Sequence, residues 1–402
     1  MANGAIACRS RSTSLSSFDT RIVTLGETVT LEELDADPHP ILARLRAEEP
    51  VAWVPALDGW LVTRRDLCVE VMRDPLTFTV ADPRFSTAQV VGPSMLSLDG
   101  PEHARHRDPF AAAFRIGEVR ERFTATVRRL ALGLVEGFKD AGVAELRRQL
   151  AGPLAVEVMT EALSLVDTNS ATLLSWYDAI VDAVNRISAG QDPGTDGVAA
   201  FNELAGHVTR TMARGEGLLA QTGTSLSTKE VTSNAAVMLF GGIETSQGMT
   251  VNAFWHLLSH LDQLAQVRND RQLVGAAVDE SLRLEPAAAR VDRYATRAVD
   301  FAEVRIRAGD LVIVSLTAAN RDPESFPDPD NYELHRSNSR QHLAFAQGPH
   351  ACVGIHLARL ETMAALEAAL DLLPGMRIDF DRSSPPQGLV FRKTPDLFVT
   401  WS

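Results

Sequence analysis

The chain has 402 residues, of which 45% are hydrophobic and 23% are charged, and its formal net charge is −13. This composition is typical of a globular protein with a large buried core. The acidic balance argues against a nucleic-acid-binding protein, because phosphate backbones are bound by clustered lysines and arginines. No run of about 18 apolar residues occurs, so we expect no membrane-spanning helix.

The first elements in chain order are a tail, a helix and two short strands. Residues 1–18 contain serines and arginines but no acid, which superficially resembles an organelle transit peptide; their low apolar content favours a disordered tail. Ile41 to Glu48 has the pattern of a helix that leads into an extended stretch ending at Val54. Trp60 to Thr63 is a second apolar strand, so the pattern predicts a small sheet near the N-terminus.

The middle of the chain has the spacing of a helical bundle. From about Glu118 to Ala220 apolar residues recur at helical intervals, interrupted at 190–197 by a stretch of turn-forming residues that we interpret as a loop. A longer helix is then predicted to begin at Ser227, which forms a capping box with Glu230. It continues for about 30 residues, or roughly 45 Å, and we expect it to cross the whole domain.

After Leu284 the pattern changes to strands. Asp300 to Ile306 and Leu311 to Ser315 indicate a second small sheet, and Ile355 to Leu373 is a clear helix. The fold class is therefore predicted to be mainly α with small β-sheets.

The three cysteines of the chain, Cys8, Cys68 and Cys352, are far apart and lack CxxC spacing. Neither a disulfide framework nor a zinc cluster fits this arrangement, and we expect a reducing, cytoplasmic compartment. Cys352 differs from the others because it precedes the helix that begins at Ile355, where free amide groups and the helix dipole favour a thiolate. For an isolated cysteine, an inert buried side chain would be the better interpretation.

The residues around Cys352 remove that ambiguity. Their pattern resembles the haem-binding loop of the cytochrome P-450 enzymes, with Ala346 where the family usually has glycine; the matching positions are Phe345, Gly348, His350, Cys352, Gly354 and Ala358. The resemblance implies the P-450 fold for residues 19–402 as one catalytic domain, with haem b (iron protoporphyrin IX) between the long central helix and the cysteine-loop helix. It also implies that Cys352 binds the iron and that Phe345, Gly354 and Ala358 lie against the haem.

Three further motifs occur in the order that the family requires. Glu280 and Arg283 stand three residues apart on one helix face, a spacing that for a lone pair normally indicates a solvated surface contact. The resemblance implies instead a buried pair, with Arg336 as its third partner. In the second motif His103 and Arg107 share a helix face. The resemblance implies that they bind the haem propionates together with two further residues, Arg293 and His350.

The third motif lies in the middle of the long helix. Gly241 and Gly242 each cost about 1 kcal/mol relative to alanine in a helix, so they need a reason. One possible reason for the two glycines is a close packing contact between helices. The resemblance implies another, an opened helical turn with Gly242 beside the haem and a groove for dioxygen. Glu244 and Thr245 then match the catalytic acid and alcohol of the family, which relay protons and hydrogen-bond the oxygen.

The implied function is that of a monooxygenase that inserts one oxygen atom from O2 into a hydrophobic small molecule. Electrons are expected from a separate ferredoxin and ferredoxin reductase, docking where Arg105, Arg340 and Arg359 supply positive charge. Residues that match the variable substrate pocket of the family are Val91, Met95, Met238, Ala289 and Leu389. Arg290 either pairs with a substrate carboxylate or faces outward. The alternatives are a peroxide-driven or radical-coupling haem-thiolate enzyme and a non-enzymatic haem sensor.

Overall fold

The computed structural model describes residues 23–402 except 166–167, 189–190 and 216. The predicted tail at residues 1–18 and Cys8 lie outside the described residues. Most of the described chain is helical. The helices are α1 Leu25–Thr28, α2 Leu31–Ala36, α3 His39–Glu48, α4 Arg65–Arg73, α5 Ser86–Val91, α6 Gly100–Ala111, α7 Ile116–Glu136, α8 Gly152–Ala162, α9 Ser170–Ser188, α10 Asp196–Ala213, α11 Gly217–Thr222, α12 Thr228–Ser259, α13 Leu261–Asn269, α14 Val274–Leu284, α15 Leu316–Ala319 and α16 Ile355–Leu372.

Short strands form small sheets at the edges of the helical body. They are β1 Val51–Val54, β2 Gly59–Val62, β3 Phe78–Thr79, β4 Val143–Glu145, β5 Arg290–Ala295, β6 Val299–Phe301, β7 Val304–Ile306, β8 Leu311–Ser315, β9 Arg377–Ile378 and β10 Phe398–Thr400. One sheet has the order β1-β2-β8-β5-β3, a second β4-β10-β9, and β6 pairs with β7.

The prediction of two separate sheets is therefore wrong in one respect. Strand β8 pairs in parallel with β2, from Gly59 opposite Leu311 to Val62 opposite Val314, so the early and late strands belong to one sheet. Strand β5 was missed because Arg290, Asp292 and Arg293 interrupt its apolar pattern.

Helix α12 is the central element, as its length and apolar content predicted. It contains 32 residues, and both halves of the capping box between Ser227 and Glu230 are present. It packs against α8, α10, α14 and α16 and is buried along most of its length. The helix is continuous from Thr228 to Ser259, so the opened turn expected at Gly241 and Gly242 is not seen.

A buried ionic cluster links α14 to the chain that precedes the cysteine loop. Arg283 donates to both carboxylate oxygens of Glu280, from Nε at 2.9 Å and from Nη2 at 2.8 Å, and Arg336 Nε donates to the same carboxylate at 2.9 Å. All three side chains are buried, and further guanidinium N–H groups donate to backbone carbonyls in 320–331. The prediction that Arg336 is the third partner is confirmed.

Within the described residues, no helix is both long enough and apolar enough to cross a membrane.

Candidate active site

A cavity of about 260 Å³ lies where α12 faces the cysteine loop and the start of α16. Its wall is mostly apolar. Residues from α12, from the Phe345–Gly354 loop, from α16, from the chain before α6 and from the start of β5 contribute to it. The cavity thus joins the two regions that the sequence marked for cofactor and oxygen chemistry.

Cys352 faces this cavity from the loop before α16. Its backbone N–H donates to the carbonyl of Phe345 at 2.8 Å, which closes the loop. The side chain has accessible surface although protein surrounds it, because that surface belongs to the cavity wall. Burial raises the pKa of the Cys352 thiol, whereas the amides of Gly354 and Ile355 and the charge of Arg107 act in the opposite direction. The helix start therefore directs stabilising dipoles at the sulfur.

The turn before Cys352 requires unusual backbone angles. Gly348 has φ +76°, and a Cβ there would collide with the backbone of Met72. Ala346, which replaces the family's usual glycine, has φ +56° and keeps its turn through a 2.8 Å hydrogen bond from its N–H to the carbonyl of Leu343. The left-handed conformation explains the family's glycine, since alanine pays a steric penalty of about 1 kcal/mol there.

The four residues predicted to bind propionates come together beside the cavity. Arg107 and His350 line it, whereas His103 and Arg293 are buried next to them. The rings of His103 and His350 have centroids 4.3 Å apart. Burial, followed by the charges of His350 and Arg107, lowers the pKa of His103 to about 4. Burial also lowers the pKa of Arg107 and of Arg293.

Asp99 belongs to the same cluster and was missed in the sequence. Its carboxylate accepts hydrogen bonds from His350 Nε2 at 2.8 Å, Thr79 Oγ1 at 2.6 Å and the N–H of Val80 at 2.9 Å. Burial by itself would raise the pKa of Asp99, but these hydrogen bonds outweigh it and hold the pKa at about 2. The sequence analysis did not single out Asp99.

These residues fit a haem. The Nε2 of His103 is buried without a hydrogen-bond partner, and Arg293 donates from Nη1 to the carbonyl of its own neighbour, Asp292. Buried polar groups of this kind normally have partners, and a ligand that carries two carboxylates would supply them. A single thiol on the cavity wall completes the donor set expected for an iron porphyrin.

The predicted acid and alcohol of α12 point in different directions. Thr245 lines the cavity, and its hydroxyl donates to the carbonyl of Gly241. Glu244 does not line the cavity; its carboxylate accepts hydrogen bonds from Tyr177 Oη and Lys393 Nζ. Consecutive side chains on a helix are about 100° apart, so one can face the cavity while the other faces outward.

The two glycines of α12 also differ in their surroundings. A Cβ on Gly242 would collide with the side chain of Met159 on α8, so this glycine allows close packing between the helices. A Cβ on Gly241 would meet no atom of another element within 4 Å. The packing explanation therefore applies to Gly242, and free space exists only at Gly241 of this pair.

Only some of the predicted substrate residues line the main cavity. Met95 and Met238 line the cavity. Val91 is buried elsewhere and its carbonyl accepts a hydrogen bond from Ser233 Oγ. Ala289 and Leu389 line a second, smaller space and not the main cavity, so their predicted contact with substrate gains no support from this geometry.

Neighbouring residues around Ala289 line different spaces. Ala288 and Val291 line the main cavity, whereas Ala289 and Arg290 line the smaller space, so the two sides do not alternate strictly. Arg290 therefore does not line the main cavity, and its Nε lies 3.5 Å from Oδ1 of Asp292.

The remaining predicted cofactor residues, Phe345, Gly242, Gly354 and Ala358, all line the main cavity. Its wall also includes residues that the sequence did not single out, among them Met159, Met249 and Glu361. Glu361 is buried, and burial raises its pKa well above the ordinary value in spite of a hydrogen bond with Ser246. Its place in an apolar helical pattern gave no functional signal.

Comparison with known proteins gives a consistent result. The family model described as cytochrome P450 matches residues 216–373. The cytochrome P450 monooxygenase PikC of Streptomyces venezuelae is 35% identical over 372 residues, which cover 87% of this chain and 86% of the relative. The nocardicin C N-oxygenase of Nocardia uniformis subsp. tsuyamanensis is 33% identical over 412 residues, which cover 95% of this chain and 99% of the relative. The crystal structure of P450BioI with an acyl carrier protein superposes with a TM-score of 0.83 at 25% identity, covering 92% of this chain and 100% of that one.

Proposed function

This chain belongs to the cytochrome P450 family and is a haem-thiolate monooxygenase, and we propose that Cys352 is its single protein ligand to the haem iron. When bound, the haem supplies the reductive activation of dioxygen, and a thiolate ligand favours that chemistry. The observation that carries the proposal is that the Cys352 thiol and the Thr245 hydroxyl share one cavity wall. Residues 19–402 would form the single catalytic domain.

Four residues beside the cavity, which we call the propionate cluster, would bind the two haem propionates: His103, Arg107, Arg293 and His350. Arg107 and Arg293 provide guanidinium groups, His103 offers an unpartnered ring nitrogen, and His350 is oriented by Asp99. Charged hydrogen bonds to carboxylates are the strong type, particularly where water is excluded. Their role is to fix the orientation of the haem relative to Cys352.

Thr245 and Glu244 would share the handling of protons. The Thr245 hydroxyl lies on the cavity wall and is oriented by the carbonyl of Gly241, so it can hold a proton at Oγ1 that faces the cavity. Glu244 stands on the other side of the helix wall, in a partly exposed position that can exchange protons with solvent. Thr245 thus faces the cavity, and Glu244 lies on the opposite, outer side of α12.

The substrate would be an uncharged, mainly apolar molecule. Met95, Met159, Met238 and Met249 line the cavity, and flexible methionines adapt to ligands of different shape. Arg107 and His350 also belong to this wall, but they would be occupied by the haem. Relatives named for large natural products, such as the 20-oxo-5-O-mycaminosyltylactone 23-monooxygenase of Streptomyces fradiae, support a bulky substrate.

Electrons would come from a ferredoxin and its reductase in a reducing cytoplasm. Arg340 and Arg359 both bind Asp279, and the Arg340 side chain remains 74% exposed, so this corner offers positive charge to an acidic partner. Arg105 is engaged with Glu102 and Glu230 and connects α6 to α12. We therefore assign docking to Arg340 and Arg359.

A comparison of electron sources tests this function against the peroxide-driven alternative. The haem-loaded enzyme is supplied either with reduced ferredoxin and reductase under air or with hydrogen peroxide alone. We expect product only with the redox proteins, and a Thr245→Ala variant should consume reductant while forming less product. Equal turnover with peroxide alone would favour the alternative.

A further inference from the structure

The surroundings of Glu244 suggest how its carboxylate is held. One carboxylate oxygen accepts from the Tyr177 hydroxyl on α9, and the other accepts from the Lys393 ammonium on the C-terminal loop. The side chains of Glu244 and Lys393 are 15% and 19% exposed, so the pair lies at the boundary between protein and solvent. Both oxygens therefore have a partner outside the cavity.

The backbone of Lys393 is fixed against α12. It exchanges two hydrogen bonds with Gln387, at 3.0 and 3.1 Å, and its Cβ would lie 3.4 Å from a Cβ on Gly248. The preceding residue, Arg392, is buried and bound to Glu285 at 2.7 Å. The ammonium group of Lys393 consequently extends from a rigid anchor.

The choice of lysine here is informative. The lysines of the chain are Lys139, Lys229 and Lys393, and its other cationic side chains of fixed charge are arginines. Arginine prefers planar, two-pronged contacts, whereas lysine is a compact charge with three donors that suits a single carboxylate oxygen.

Other charged groups around Glu244 do not replace Lys393. Asp178 on α9 lies close enough that, after burial, the charge of Glu244 contributes to raising its pKa. Arg147 donates to Gln247 at 3.4 Å rather than to Glu244. Burial and the charge of Glu244 raise the pKa of Tyr177, so its hydroxyl remains a hydrogen donor at neutral pH.

We propose that Lys393 and Tyr177 are positioning residues that hold the Glu244 carboxylate on the outer side of α12, where it takes up protons from solvent. The inference rests on the proton-relay role proposed for Glu244. Lys393 stabilises the charged carboxylate between proton transfers, and Tyr177 fixes its second oxygen. The carboxylate thereby stays correctly placed without occupying the substrate cavity.

The test compares Lys393→Met, Lys393→Arg and Tyr177→Phe, with Lys229→Met, an exposed lysine near the start of the same helix, as the control. Infrared spectra of the resting protein are recorded as a function of pH to follow the C=O band of the protonated Glu244 carboxyl. That band is assigned by its absence from the spectrum of Glu244→Gln. In Lys393→Met this band should persist about one pH unit higher than in the parent, because the opposite charge is gone. Tyr177→Phe should shift it in the same direction.

Turnover measurements complete the test. In Lys393→Met, product formed per reductant consumed should fall severalfold and the solvent isotope effect should increase, with substrate affinity unchanged. Lys393→Arg keeps the charge but not the compact shape of lysine, so it should recover part of both quantities, and Lys229→Met should match the parent. Unchanged spectra and coupling in Lys393→Met, or no recovery with arginine, would overturn the inference. A parent enzyme that lacks monooxygenase turnover while the infrared shift persists would refute the proposed function instead.

Discussion

The Nε2 of His350, in the cysteine loop, lies 2.8 Å from Oδ1 of Asp99, at the start of α6, although 251 residues separate them in the chain. Through Thr79 and Val80, the same carboxylate also binds the edge strand β3 and the residue that follows it. Asp99 therefore connects the start of α6, the cysteine loop and the segment of β3 around the propionate cluster. Its function is to keep the ring of His350 oriented beside the haem.

Replacing Asp99 by Asn should weaken haem retention and reduce stability. The asparagine keeps the shape but loses the charge that orients His350, so the ratio of Soret absorbance to protein absorbance should fall. The control is Glu118→Gln, an exposed acid in the first turn of α7. Equal haem content in Asp99→Asn and the parent would contradict the role given to this carboxylate.

The same carboxylate predicts an acid dependence of stability. Its pKa of about 2 in the folded protein is below the value of about 3.9 in an unfolded chain. The ionised form therefore stabilises the fold above about pH 4, and this contribution is lost as the pH falls towards about 2. Melting temperatures measured across that range should fall less steeply in Asp99→Asn than in the parent.

Arg293 should be needed for haem binding more than for folding. It is buried, and the contact that it makes from Nη1 is to the carbonyl of Asp292. Arg293→Ala should lose a charged hydrogen bond to a propionate, at a cost of roughly 1 to 3 kcal/mol in haem affinity. Titration of the haem-free protein with haemin measures this, with the exposed Arg305→Ala as control. An affinity equal to that of the parent would remove Arg293 from the propionate site.

Gly241 and Gly242 should respond to alanine in opposite ways. Gly242→Ala would collide with Met159 and should destabilise the fold by about 1 to 3 kcal/mol, as overpacking does. Gly241→Ala has room and should stabilise the helix by up to about 1 kcal/mol while narrowing the cavity. Thermal unfolding and the Soret shift with bulky ligands distinguish the two effects. The double variant Gly242→Ala, Met159→Ala should recover stability, and a failure to do so would contradict the packing explanation.

Local signals in the sequence predicted the features that depend on neighbouring residues. The capping box at Ser227 and the long helix after it were visible as a short motif followed by an apolar pattern. The turn before Cys352 was likewise visible from its spacing. Arg336, by contrast, was predicted only through the family resemblance, because its contact with Glu280 spans 56 residues.

The features that the sequence analysis did not predict depend on which way a side chain faces and on contacts between segments far apart in the chain. No pattern indicates that Glu244 faces Lys393 rather than the cavity, since that depends on how the C-terminal loop packs against α12. Ala289 and Leu389 line the smaller space, which the family resemblance did not distinguish from the main cavity. Asp99 gave no sign of its partner in the cysteine loop. Pairing between remote segments is a property of the folded chain.

The most direct measurement of the account is the absorption spectrum of the reduced carbon monoxide complex. If Cys352 provides the thiolate ligand, the parent should show the long-wavelength Soret band of thiolate-ligated haem, and Cys352→Ser should lose it. Cys68→Ser is the matched control, because the Cys68 thiol is buried away from the cavity and burial raises its pKa. That control should keep the band at its normal position. A Cys352→Ser protein that retains the long-wavelength band would contradict the assignment of Cys352 as the iron ligand.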